Sequence, residues 1–193
     1  MLPKAYPVMT DNRTKLVDAA QDRVQSSGLK ALSFRTLADQ IGIKSSSVHY
    51  HFPEKADLAQ ALIERYSLSM SDSLSAISNS DADLRGKLEA FIGIFEAVAR
   101  RDKICLCGML TAEVELLSDT NKQALQVFFH DMEHWLCSLF DAHLAEMKSP
   151  LSHLSLAKAM ISGLEGALLV DRVAGNTHCM NAQKKLFLSM LIA

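Results

Sequence analysis

The chain has 193 residues, 49% of them apolar and 22% charged, enough to bury a sizeable core and too apolar and too sparsely charged for a disordered or fibrous chain. Its net charge of −2 argues against nucleic-acid binding by the whole surface, but residues 1–55 carry eight Lys and Arg against five Asp and Glu, while residues 56–193 carry twelve against seventeen. The longest apolar runs, such as GALLV, fall far short of the roughly 18 residues of a membrane span, so no membrane partner is expected.

The first nine residues, MLPKAYPVM, hold two prolines and no apolar secretory stretch, and are read as a short flexible arm. No segment alternates with period two between hairpin turns, whereas helical spacing recurs almost throughout, which predicts an all-α chain. A first helix is expected to start near Thr10 or Asp11 and to end at Gly28, with Leu16, Val17, Ala20 and Val24 on its buried face. A short second helix follows from Phe34 to Ile41, capped by Ser33 and ended by Gly42. A third runs from Ser45 to His51, with Val48 and Phe52 inward and Pro53 as its stop.

Two short helices joined by a tight glycine turn, behind a longer one, form a helix-turn-helix unit. With Val48 and Phe52 buried, Ser45, Ser46, Ser47, His49 and Tyr50 face outward. Small hydroxyls allow a helix to sit close in a DNA groove and bond base edges, and Tyr and His can donate to phosphate.

Residues 13–66 resemble the DNA-binding domain of the tetracycline-repressor (TetR) family. The likeness rests on the paired alanines of the first helix, SFRTLA in the second, the GI turn, VHYHF, and a lysine three residues later. The resemblance implies base contacts from Ser45, Ser46 and Ser47, with His49, Tyr50 and His51 at the groove wall. It also implies phosphate contacts from Ser33, Arg35 and Lys55. Ser45-Ser46 replaces the lysine-glycine of many members, and His49 a tyrosine, so no operator sequence carries over. Residues 1–55 are then the arm and DNA-binding domain, and residues 56–193 a larger helical ligand-binding and dimerisation domain.

Within that larger part, a linking helix spans residues 54–78. The next begins after Asp81 or Asp83 and reaches Arg100 and Arg101. A short helix then holds CLCGMLTAEVELL, a long one covers residues 119–147, another opens at Pro150 and ends near Gly175, and the last begins at Asn176. The small residues Gly163, Gly166 and Ala167, with Val170, Phe187 and Met190, lie in the two final helices, which pair with their twofold mates in TetR-like proteins. A single recognition helix reads few bases, so a homodimer on palindromic double-stranded DNA, with half-sites roughly 34–36 Å apart, is expected.

The resemblance also implies an unidentified small-molecule inducer. Phe91, Phe95, Met109, Phe128, Met132, Trp135 and Phe140 are candidates to line its pocket, although such a stripe also suits plain core. Cys105 belongs to the same set. It follows Arg100, Arg101 and Lys103 near a helix start, where positive charge favours thiolate, and CLCGMLTAE resembles a segment of electrophile-sensing TetR members, although a buried structural cysteine is the simpler reading. Cys105, Cys107, Cys137 and Cys179 lack disulfide or zinc spacing, which suits reduced thiols in the cytoplasm. HDMEH, residues 130–134, matches a zinc-protease pattern formally but has no third ligand. The expected function is a transcriptional regulator, most simply a repressor, with no cofactor and no enzymatic activity. A thiol or metal enzyme using Cys105 or His130 and His134, and a DNA-binding protein without a ligand, are the alternatives.

Overall fold

Helix ends in this chain are fixed by side-chain caps and by glycines that tolerate a left-handed backbone. The computed structural model describes residues 12–191, which contain nine α-helices and two 3-10 turns. Thr10, Asp11 and the proposed arm lie outside the described residues. Helix α1 (Asn12–Ser27) buries Leu16, Val17, Ala20 and Val24. At its end Gly28, with φ of 83°, donates its N–H to the Val24 carbonyl at 2.9 Å.

Helix α2 (Phe34–Ile41) starts under Ser33, whose Oγ accepts from the Thr36 N–H. It stops at Gly42, φ 74°, where the Ile43 N–H reaches back to the Ala38 carbonyl at 3.0 Å. Helix α3 (Ser45–His51) buries Val48 and is pinned by Phe52 beyond its end. Helix α4 (Lys55–Ser78) opens with a reciprocal cap, the Glu54 N–H donating to Asp57 Oδ2 at 2.8 Å.

Helix α5 (Leu84–Ala99) is capped by Asp83, which accepts from Gly86 N–H at 2.8 Å and settles the choice between Asp81 and Asp83. Helix α6 (Leu106–Ala112) is followed by a 3-10 turn, Val114–Leu116. Helix α7 (Asp119–Ala142) ends five residues before the expected boundary. There His143 leaves helical geometry and its Nδ1 meets Glu146 Oε1 at 2.6 Å, in the turn Leu144–Glu146. Helix α8 (His153–Ala174) begins after Ser152, which takes the Ser155 N–H, and not at Pro150. Helix α9 (His178–Leu191) starts two residues later than expected, because Asn176 Oδ1 accepts from His178 N–H just ahead of it.

The long α4 packs against α1 on one side and against α5, α6 and α7 on the other, so one apolar core runs from the helix-turn-helix into the larger part. Helix α8 is held between α5, α7 and α9. By length and composition α8 is long and apolar enough to cross a membrane, which the short apolar runs did not anticipate. Its buried face serves the protein core, through Leu156, Met160, Leu164 and Leu168.

A second seam joins the two parts. The segment leading into α6 lies along the C-terminal half of α1, where Ile104 N–H donates to the Gln25 carbonyl at 3.1 Å. The buried Gln25 side chain donates back to the Ile104 carbonyl at the same distance. Lys103 pairs with Asp22, and Arg172 donates to the Ser26 carbonyl at 2.5 Å. Glu113, beyond the end of α6, accepts the Leu29 and Lys30 backbone N–H groups, capturing the turn between α1 and α2. A Cβ on Gly28 would fall 2.7 Å from that carboxylate, so glycine there serves the close approach as well as the positive φ.

Candidate nucleic-acid interface and ligand cavity

Burial of Val48 and Phe52 forces the rest of α3 outward. Ser45, Ser46, His49 and Tyr50 are exposed, Tyr50 at 84% of its surface, while Ser47 and His51 are half-buried. Arg35 and Lys55 are exposed at the starts of α2 and α4, and Ser33 is half-buried with its Oγ engaged as the α2 cap. The hydroxyl proton of Ser33 is still available to an acceptor. His49 is turned back toward its own domain. Its ring meets Phe34 edge-on at 5.0 Å and its Nδ1 lies 3.4 Å from the Pro53 carbonyl. The face thus offers serine hydroxyls, a free phenol and flanking cations, with no carboxylate on α3 to repel phosphate.

The expected ligand-pocket residues do not form one pocket. Phe91 and Phe95 are fully buried in packed core, Phe91 stacking on Trp135 at 5.4 Å between centroids, and Phe140 is likewise core. Phe128, Met132 and Trp135 do border a cleft of about 260 Å³ between α4 and α7. Met109 is half-buried against the core. The aromatic stripe therefore ties α4, α5 and α7 together, with Trp135 Nε1 donating to Ser78 Oγ at 2.8 Å.

A larger cavity, about 480 Å³, lies between α6, α7 and α8, where the sequence pointed to nothing. Ile104, Phe129, Ile161 and Leu169 supply apolar walls, and Glu165 enters from α8. Burial pushes the Glu165 carboxyl up to about 7, partly offset by a hydrogen bond with the Cys105 thiol. On the other side of Cys105 lies the Tyr66 hydroxyl from α4, held far above its ordinary range by burial and by Cys105. A lone carboxylate in the otherwise apolar stretch ISGLEGALLV was the available signal for this site.

The electrostatic expectation for Cys105 is reversed. The residue is 1% exposed, and burial followed by the Glu165 carboxylate raises its thiol well above the usual value. Arg100 and Arg101 are solvent-exposed and Lys103 is turned to Asp22, so none of the three favours a thiolate. Cys107 is buried too, and its thiol is raised by burial and then by Glu165. Among the described residues no group of three potential metal ligands converges, and His130 and His134 stand exposed with rings 6.5 Å apart.

Of the expected dimerisation residues, Gly163 faces this chain's own α9. A Cβ there would lie 2.8 Å from the Gln183 amide and 3.2 Å from the Phe187 ring. Ala167 and Phe187 are themselves buried within the single chain. Val170 is 55% exposed and Gly166 opens on empty space. The side chain of Met190 lies outside the described residues. Leu169, Val173 and Leu186 extend the exposed apolar face beyond the expected set.

The chain is thus an all-α, helix-turn-helix DNA-binding protein with a larger helical body. Residues 16–62 match the model of the bacterial regulatory proteins of the tetR family. A solved TetR transcriptional regulator from Legionella pneumophila is 29% identical, covers 95% of this chain and 98% of its own, and superposes with a TM-score of 0.87. Nucleoid occlusion factor SlmA of Marinomonas sp. is 24% identical over 61% of this chain and 58% of its own length. The transcriptional repressor KstR2 of Rhodococcus jostii is 23% identical over 74% of this chain and 60% of its own. The chain therefore spans about three fifths of these two relatives. Residues 16–62 are thus a DNA-binding domain of the tetR type, and the chain as a whole has the fold of solved TetR regulators.

Proposed function

We propose that the chain is a homodimeric repressor released from a palindromic operator by a small-molecule inducer, in the cytoplasm where that DNA lies. Residues 1–55 read the DNA, and residues 56–193 dimerise and bind the inducer. The reading rests most on the position of α6. Gly108 and Thr111 of that helix wall the α6–α7–α8 cavity, and its C-terminal end leads to Glu113, which grips the turn between α1 and α2. Asn121 adds a second link, donating from the start of α7 to the Ala56 carbonyl at 3.2 Å and to Gln60 Oε1 at 2.9 Å in the first turns of α4.

A ligand that fits the cavity better when α6 is displaced draws the population toward a spacing of recognition helices that no longer matches the operator. The shift is limited by its differential affinity for the two states. The buried, protonated state of Cys105 favours a non-covalent inducer over a thiol-reactive one. The exposed apolar face of α8, with Leu169, Val170 and Val173, suits a second copy of the chain.

The test is selection of duplexes from a random pool by the purified chain, followed by sequencing. A palindrome with half-sites about one turn apart is expected. Ser46 substitutions should change which bases are enriched, whereas Tyr50→Phe should weaken binding to every sequence alike. Enrichment of a single unrepeated half-site would overturn the dimeric reading.

A further inference from the structure

The cavity between α6, α7 and α8 combines an apolar wall with one polar group whose needs are unmet. Its other polar side chains are engaged. Thr111 Oγ1 donates to the Cys107 carbonyl at 2.8 Å, Ser162 Oγ to the Lys158 carbonyl at 2.7 Å, and Lys158 Nζ stands 3.8 Å from Glu133 Oε2. Glu165 differs from these. Its Oε1 is shut off from solvent and has no hydrogen-bond partner.

The carboxylate lies against the α6 backbone, where a Cβ on Gly108 would sit 2.3 Å from its Oε2, so the glycine leaves room for the acid. The titratable groups against it are Tyr66 from α4, Cys105 just ahead of α6 and Cys107 within it, none of them cationic, while the one lysine on the cavity wall, Lys158, stands by Glu133. A carboxylate taken out of water without a counter-charge is costly, and a thiol is a weak donor that repays little of that cost.

We propose that this cavity binds a small apolar amine in its protonated form, with the Glu165 carboxylate as counter-ion. The ammonium supplies the charge that none of the groups around the carboxylate supplies and, once the carboxyl rotates to turn Oε1 toward the cavity, the donor that Oε1 lacks, while the apolar body lies along Ile104, Phe129, Ile161 and Leu169. About 480 Å³ suits a molecule of drug-like size or smaller. A neutral alcohol meets only the first need, and an anion is repelled. This names the chemical class of the inducer and rests on reading the larger part as a ligand-binding domain.

Calorimetric titration of the purified full chain with a matched series tests it: 4-phenylbutylamine, 4-phenylbutanol and 4-phenylbutyrate. The amine should bind roughly 10- to 100-fold more tightly than the alcohol, as a charge-assisted hydrogen bond does, and the acid should be weakest. Glu165→Gln should erase the advantage of the amine over the alcohol, with circular dichroism confirming the fold. Should that variant not fold, Ala159→Phe fills the cavity from its exposed side and should abolish amine binding.

Equal binding of amine and alcohol, no amine binding, or undiminished amine affinity in a folded variant would each overturn the assignment. DNA binding by the same preparation is read separately, on duplexes from the random pool. Amine binding without DNA binding counts against the regulator reading and leaves the cavity assignment standing, and the converse result does the reverse.

Discussion

Asp171 shows how one buried carboxylate can be kept ionised. Burial works to raise its pKa, but the Met180 and Cys179 backbone N–H groups, at 2.8 and 2.7 Å, outweigh that and hold it below its ordinary value. A carboxyl with a lowered folded pKa stabilises the protein above the unfolded value, about 3.9, and the benefit fades as pH falls through the folded one. Asp171→Ala should therefore cost about 1–3 kcal/mol at neutral pH, lowering the melting temperature by several degrees. The gap between wild type and variant should close as melts are recorded toward pH 3. A gap that persists in acid would mean that Asp171 acts by packing alone. Residues whose role is local were readable in the sequence: Ser33 as a cap, Gly42 as a left-handed turn, Val48 as the inward side of α3. Cys105 was not, because its chain neighbours Arg100 and Arg101 point to solvent while its spatial neighbour, Glu165, lies sixty residues away.

At the scale of elements, α6 matters more than its seven residues suggest. Glu113→Gln keeps the shape of the clamp on Leu29 and Lys30 and removes its charge, which should lower stability by about 1–2 kcal/mol in urea denaturation. Under the proposed mechanism it should also reduce the effect of inducer on operator affinity, measured by fluorescence anisotropy. An unchanged response would remove Glu113 from the coupling route. Every helix was legible from apolar spacing, and the starts of α2, α3 and α4 came out to within a residue. The ends of α7 and the starts of α8 and α9 did not, since His143, Ser152 and Asn176 set them through side-chain contacts that spacing does not encode. The cavity was missed for a related reason: aromatic and methionine side chains fill space, and the open volume lies beside the smaller residues of α6 and α8.

For the whole molecule, the open question of assembly turns on α8. Leu169, Val170, Val173 (93% exposed) and, on α9, Leu186 leave an apolar face uncovered in the single chain. Val170→Asp combined with Val173→Asp should leave the monomer folded, as both side chains already meet solvent. Sedimentation velocity should then shift from dimer to monomer, with a loss of operator affinity of roughly 100-fold or more as two half-sites reduce to one. A double variant that still sediments as a dimer would place the interface elsewhere.

The seam between α1 and the segment around α6 bears on whether such a regulator is made of interchangeable parts. Its DNA-reading end looks detachable along the chain, since it occupies one stretch at the start. Yet Gln25, Ser26, Leu29 and Lys30 are bonded to Ile104, Arg172 and Glu113, partners far downstream. Anyone grafting a new reading head onto this body would have to carry the downstream partners along with it, or choose a donor whose turn after the first helix already has a glycine that admits the carboxylate.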